Sequence, residues 1–413
     1  MPKFLSRPIT FFLLISLFFL ILRLFNLPSV VNYGSDAARD FLVVWNMYMT
    51  KHPVLIGPPS EYVFNGRQFF FGPAPYYLIL PALLIGQWDP LSVSYFLIFL
   101  NLAILIVSLV ILNKNIKEKS IMYYFALFCA CTPSVVADTQ SYWNPYFMLP
   151  VSILLVALIV KNRVQKHDNY FLLLLIGFLF GLGLQFHYSF IFAIIVSCIW
   201  LFLGKKVQLL AIGLLLGGFV IGFSPLILFE LRNHFYNLNT LLLIMTHSTG
   251  STTGFIFNIF YLISLLPFLF YFVSMAFTKL DRINHLVSYV FFAVYILWSL
   301  VVIFSPHTYA LSYPDAKQIA QKIEQDHPKN FNIVDQLTRD NRATAIRYLL
   351  TVHGFVPEGV TQYANVPTLY IYSKVPFNAL VKNPVWEIKT FLPFTTVKTQ
   401  SVSDNIKLYT LSK

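Results

Sequence analysis

The sequence predicts a polytopic α-helical membrane protein of about nine spans with a small C-terminal extracytoplasmic α/β domain, and three features carry the prediction. Its 413 residues are 57% hydrophobic and only 11% charged, against roughly a quarter charged in soluble domains. Apolar runs near the ~20 residues of a spanning helix recur from Pro8 to about Phe304. Beyond that point they stop, and short helix and strand patterns alternate. A soluble enzyme, a coiled coil and a disordered chain are thereby excluded. Cys129, Cys131 and Cys198 all lie inside apolar runs, which leaves neither a disulfide framework nor a thiolate metal site.

The first run, 8–27, follows a basic tail with Lys3 and Arg7 and lacks a small-residue cleavage site. It reads as an uncleaved span with its N-terminus in the cytoplasm. Further spans are expected near 90–112, 120–137, 145–160, 170–186, 188–203, 207–229, 255–277 and 284–304. Basic residues in short loops favour the cytoplasmic side. On this arrangement Lys3, Arg7, Lys114, Lys117, Lys119, Lys161, Arg163, Lys166, Lys205, Lys206, Lys279 and Arg282 are inside, whereas only Arg39, Lys51, Arg67 and Arg232 before residue 305 are outside. The same pattern divides the run 170–203, basic at both ends and too long for one span, at a turn near Gln185 to His187. Segment 74–86 is too short to span, contains Pro75 and Pro81, and is expected to be interfacial or re-entrant. Arg23, at the outer end of the first span, is expected to snorkel. The expected setting is the plasma (inner) membrane. The net charge of +12 is scattered among loops without a basic stripe, so nucleic acid is not a partner.

Two domains follow: a membrane domain over 1–304, with a long external first loop at 28–89, and an external α/β domain over 305–413. In the tail, a helix at 315–326 places Ala316, Ile319, Ala320 and Ile323 on one face. A strand at 331–334, a helix at 342–353 and strands at 368–372 and 406–411 complete the expected domain. No internal repeat is present, which weighs against an inverted-repeat transporter.

The first loop opens with Tyr33-Gly34-Ser35-Asp36-Ala37-Ala38-Arg39-Asp40 and continues into an amphipathic stretch, 41–48, suited to lying along the membrane surface. On a helix Asp36, Arg39 and Asp40 share a face, being three and four residues apart. A carboxylate beside a guanidinium suits a general base, and a guanidinium binds phosphate. The plainer alternative is that Ser35 or Asp36 caps the helix while Arg39 pairs on its surface.

An N-terminal span, a long external loop opening with Asp36 and Arg39, and the later Gly72-Pro73-Ala74-Pro75-Tyr76-Tyr77 element resemble the GT-C membrane glycosyltransferases. The sequence is most similar in pattern to the protein O-mannosyltransferase and lipid A aminoarabinose transferase group, glycosyltransferase family 39-like, over residues 8 to about 305. That resemblance implies a GT-C-like bundle and a polyprenyl-phosphate-sugar donor. It further implies hexosyl or pentosyl transfer with inversion on the outer face to a lipid, glycan or protein acceptor. It makes Asp36 the catalytic residue and Arg39 the basic residue that follows it. Two departures stand out. Ala37 occupies the place of the mannosyltransferases' second carboxylate, which leaves a divalent metal undecided. Phe71 stands before the proline-rich element where the aminoarabinose group has a phosphate-contacting Lys; Arg67 lies nearby.

The other candidates sit at expected external turns. Arg232, with Arg67 in reserve, is a donor phosphate ligand alongside Arg39. Asp40, Tyr76, Tyr77, Asp138, Gln185, His187 and Glu230 are candidate substrate contacts, each with an interfacial or structural alternative. Glycines 177, 181 and 183 fit close helix packing rather than a nucleotide site. The rival class is a non-enzymatic lipid-linked-sugar flippase or transporter. It would want ionisable groups at midplane depth, whereas here the charges gather at one face.

Overall fold

The computed structural model describes residues 8–165, 169–205, 208–247, 259–306, 309–403 and 405–413. The sites at Lys3, Arg7, Lys166 and Lys206, and the start of the span expected at 255–277, lie outside these residues. Among those described, five helices are long and apolar enough to cross a membrane: Leu91–Asn115, Asn144–Val164, Leu209–Arg232, Leu262–Asp281 and His285–Ile303. A sixth candidate is the pair Lys119–Cys131 and Pro133–Gln140, bent by 57° at its break. Shorter apolar helices occupy Pro8–Leu24, Ala74–Ile85, Tyr170–Phe186 and Ile191–Phe202. The protein is thus mostly helical and, by its apolar helices, an integral membrane protein. The long run 170–203 divides at His187, whose extended backbone ends one helix before the 3₁₀ turn Tyr188–Phe190 starts the next.

Contacts divide the chain into two units. One holds 1–25, 52–81 and 95–305. Within it, Tyr170–Phe186 packs against Leu209–Arg232 through glycines. A Cβ on Gly177 would fall 2.1 Å from the Leu215 carbonyl oxygen, and one on Gly218 2.1 Å from that of Leu174. Only a hydrogen fits between these backbones, the small-residue packing expected of helices in lipid. Gly183 instead makes room for the Phe190 ring.

Arg23 does not snorkel. It is fully buried in this unit, and the reason lies in the bent pair. Pro133 has no N–H to offer the Cys129 carbonyl four residues back, and the break exposes the carbonyls around it. The Arg23 guanidinium supplies the missing donors, giving 2.7 Å to the Ala130 carbonyl, 3.3 Å to that of Cys129 and 2.7 Å to Thr139 Oγ1. Gln140 Nε2 donates back to the Arg23 carbonyl at 3.0 Å. An arginine in an apolar setting is tolerable when its donors are met in this way.

The same unit contains a hairpin within the first loop, β1 (Pro59–Phe64) and β2 (Arg67–Phe70). Asn65 and Gly66 between them take φ of 48° and 72°, the left-handed pair of a two-residue hairpin turn for which Asn-Gly is favoured.

The second unit holds 26–51, 82–94 and 306–413. The first loop, read from sequence as one insert of the membrane domain, is therefore shared between the units. Four strands, β3 (Phe331–Gln336), β4 (Thr368–Ser373), β5 (Thr396–Ser401) and β6 (Lys407–Ser412), form a sheet of order β3-β4-β6-β5. The β3–β4 pair is parallel and the others antiparallel. Val334, Leu369, Ile371, Tyr409 and Leu411 anchor its core with Ile388 and Phe391. Helix Tyr313–Gln325 buries Ala316, Ile319, Ala320 and Ile323, the face that periodicity selects. Strand β5 was not expected: its TVKTQS sequence is polar and almost wholly exposed, an edge without an apolar face to announce it.

One expectation about the first loop is overturned. The helix Ser35–Thr50 does not keep its apolar face for lipid. Ala37, Ala38, Phe41, Val44 and Met47 are buried, and the helix packs on Thr344–Val352. The Phe41 ring meets that of Tyr348 edge-on at 5.5 Å and stacks with Tyr33 at 6.3 Å. A complementary apolar helix in its own unit covers the stripe that the sequence alone leaves open.

Candidate active site

The Ser35–Thr50 helix begins at Gly34, which takes the N-cap position and makes no side-chain cap bond. Neither Ser35 nor Asp36 is the cap, so the capping half of the plainer reading is not found, whereas its other half, pairing of Arg39 on the helix, is. Arg39 instead bridges both carboxylates, with Nη1 at 2.7 Å from Asp36 Oδ1 and Nε at 2.9 Å from Asp40 Oδ1. The two acids differ in setting. Asp40 has 1% of its side chain exposed and Asp36 43%. Burying Asp40 beside the guanidinium fixes the arginine's fork, because an unpaired carboxylate there would cost several kcal/mol. Arg39 in turn holds Asp36 at a defined place while leaving it open to a reactant. Asp36 in the first helical turn also gains from the helix dipole.

A second polar group forms in the other unit, around the proline-rich element. Gly72 N–H donates 2.8 Å to the Gln185 carbonyl. The Gln185 side chain is buried and committed to backbone, accepting from Ala74 N–H at 3.2 Å and donating to the Gly222 carbonyl at 2.5 Å. Glycine is required at 72, since a Cβ there would lie 2.4 Å from that of Gln185. Tyr76 is buried, and exposed Tyr77 donates its hydroxyl 2.8 Å to the Val54 carbonyl. Glu230 receives the N–H groups of Asn237 and Leu238 at 3.1 and 3.2 Å, and so caps the helix Tyr236–His247. Asn237, which the sequence reading missed, exchanges both side-chain bonds with Phe70 of β2, at 2.9 and 3.1 Å.

His187 accepts from Ser189 N–H at Nδ1, at 3.1 Å, which leaves the ring proton on Nε2. Its ring stacks on Phe71 at 4.7 Å. Burial lowers its pKa to about 4, so at neutral pH it is a neutral donor rather than a cationic phosphate ligand. Asp138 accepts from the Tyr146 hydroxyl, and the Tyr146 ring meets Trp143 edge-on at 5.3 Å. Arg67 is exposed, 6.0 Å from the Tyr236 ring centre. Arg232 ends its helix exposed and, among the described residues, without a hydrogen bond or ion pair. No group of three or more His, Cys, Asp or Glu among the described residues could hold a metal.

Nothing among protein-family models or curated proteins matches the sequence. The crystal structure of ArnT from Cupriavidus metallidurans bound to undecaprenyl phosphate does match in fold, with a TM-score of 0.56 at 12% identity. The chain shares the ArnT fold. The match covers 98% of this chain and 97% of ArnT.

Proposed function

We propose that the protein is a GT-C membrane glycosyltransferase that takes a sugar from a polyprenyl-phosphate donor and passes it to an acceptor hydroxyl on the outer face. The observation that carries this reading is the pairing on the Ser35–Thr50 helix. One acid, Asp40, is buried to lock Arg39, and the other, Asp36, is held by Arg39 yet open. The ArnT fold over the full chain supports it, as does the resemblance of Asp36 and Arg39 to the family's first-loop residues.

In the proposed reaction the acceptor oxygen attacks the anomeric carbon as its proton passes to Asp36. The bond from that carbon to the phosphate oxygen breaks with inversion, and polyprenyl phosphate leaves with the electron pair. Arg39 offsets the charge on the departing phosphate. Nine spans, formed by the six candidates with Pro8–Leu24, Tyr170–Phe186 and Ile191–Phe202, would leave the two ends on opposite sides, and the basic inner loops favour a cytoplasmic N-terminus with residues 305–413 outside.

The deciding experiment incubates the purified protein with a panel of polyprenyl-phosphate sugars. Release of free polyprenyl phosphate without ATP or nucleotide sugar supports the reading; no release from any donor, with the protein folded, counts against it. Cysteine labelling from outside tests the orientation. Modification is expected at Lys382→Cys and not at Gln165→Cys, and the reverse result would overturn the arrangement.

A further inference from the structure

Trp88 stands shortly before Leu91, where the apolar helix Leu91–Asn115 begins. The intervening Cα steps reach at most ~11 Å, so the indole lies in the headgroup layer at that end of the helix, the depth that Trp and Tyr favour. The backbone is strained to put it there. Gln87 and Trp88 both take left-handed φ, 52° and 69°, a conformation that costs a non-glycine residue of order 1–3 kcal/mol. Trp88 is held in it from both sides. Its N–H donates 2.7 Å to the Leu83 carbonyl, and its own carbonyl accepts from the Tyr348 hydroxyl at 2.7 Å.

The C-terminal end of the Ser35–Thr50 helix, in the same unit, gathers around this indole. Trp45 meets it edge-on at 4.6 Å between ring centres, and the Tyr48 ring lies at 5.3 Å. Lys51, the exposed C-cap of that helix, holds its ammonium 3.7 Å from the Tyr48 ring centre. Large apolar neighbours in the chain stand open: Ile85 is 85% exposed, Met49 57% and Leu84 38%. In water, Ile85 and Met49 would each forgo most of the roughly 1.5–3 kcal/mol of a buried side chain. The stripe that Thr344–Val352 covers is a different face, running from Ala37 to Met47.

We propose that this cluster is a lipid-docking surface. Trp45, Tyr48 and Trp88 sit among the headgroups, Ile85 and Met49 enter the acyl boundary, and Lys51 pairs with a lipid phosphate. Rings, a cation and open apolar side chains together have the composition of an interfacial anchor, and the cluster is continuous through Trp88 with a helix that crosses the bilayer. An ammonium among headgroups meets phosphate oxygens, which accept its hydrogen bonds. The surface fixes the far end of the helix that carries Asp36, whose carboxylate lies about 14 Å along the axis from Trp45. The inference rests on Leu91–Asn115 as a span and is independent of the transferase reading.

The test places nitroxide labels, one at a time, at Met49→Cys, Ile85→Cys, Phe99→Cys and Val397→Cys in the full-length protein in nanodiscs, on a Cys198→Ser background. Phe99 is an exposed position on Leu91–Asn115, and Val397 one on strand β5. Collision with oxygen, which concentrates in lipid, is compared with collision with a water-soluble nickel chelate. Residues 49 and 85 are expected to favour oxygen as residue 99 does, and residue 397 the chelate. Replacing part of the phosphatidylcholine with phosphatidylglycerol should move the label at 49 deeper, and Lys51→Gln should remove that shift. Chelate access at 49 and 85 like that at 397 would overturn the proposal, and so would shielding from both reagents, the mark of a protein cover. A depth at 49 that ignores the anionic lipid, or a shift that survives Lys51→Gln, would overturn the phosphate contact. Chelate access at 99 would remove the span on which the proposal stands. None of these readings uses polyprenyl phosphate release, so the transferase reading stands or falls separately.

Discussion

Around Gly72 the fold answers polar side chains with backbone, whereas on the Ser35–Thr50 helix one guanidinium answers two carboxylates, one buried and the other half exposed. Gln185 joins Ala74 to Gly222, Asn237 pairs with both main-chain groups of Phe70, and Glu230 caps a helix. Each of these residues spends its hydrogen bonds on main chain. Asp36, by contrast, is held by Arg39 and is 43% exposed. Hydrogen-bonding capacity that anchors backbone is not available to a substrate at the same moment. On the proposed function, the first region is scaffold and the second is where the chemistry occurs.

The largest expected effect comes from Asp36→Asn. The amide preserves shape and removes the proton acceptor, so transfer should fall by ~10²-fold or more while the melting temperature holds. Near-normal turnover in the folded variant would break the comparison at its reactive side.

Gln185→Leu should do the opposite. It leaves the Ala74 N–H and the Gly222 carbonyl without their partner, at about 1–3 kcal/mol each where buried. Denaturation should show that loss of stability, and the surviving folded fraction should keep its turnover per molecule. A stable variant with collapsed activity would move Gln185 from scaffold to substrate contact.

Legibility in the sequence follows the range of the forces involved. The apolar runs, the turn at His187 and the buried face of Tyr313–Gln325 depend on near neighbours, and all three are readable. The hairpin has a local signal in Asn65-Gly66, a pair favoured in two-residue hairpin turns, although the sequence reading treats 28–89 as one loop. Other features have no local trace. Arg23 is buried because of a proline over one hundred residues away. The stripe on Ser35–Thr50 meets Thr344–Val352 rather than lipid, a partner that only the tertiary fold supplies. At the site itself, the shared face of Asp36, Arg39 and Asp40 was legible from their spacing; which acid would be buried was not.

That last distinction can be sharpened with Arg39→Gln. Asp40 then loses the cation beside a buried carboxylate, and stability should fall by roughly 1–3 kcal/mol together with activity. Adding Asp40→Asn should recover much of the stability and none of the activity, because the neutral amide no longer needs the guanidinium. A double-mutant cycle measures the coupling directly. Activity returning with stability would mean that Arg39 serves Asp40 alone.

The smallest effect concerns His187, on the scaffold side of the comparison. Its pKa is lowered to about 4 by burial, from an ordinary value of 6.5. Between those values the unfolded chain binds a proton that the native state does not, so stability rises with pH there. The contribution is present in full above about pH 6.5 and is lost as pH falls towards 4, for a total of order 1–3 kcal/mol. His187→Gln keeps an acceptor for Ser189 N–H and removes the titration, so its melting temperature should fall less than the wild type's between pH 6.5 and 4.5. Transfer by the wild type should show no transition near pH 6.5 that the variant abolishes. If such a transition does disappear in the variant, His187 ionises in the working range and belongs with Asp36 among the reactive groups.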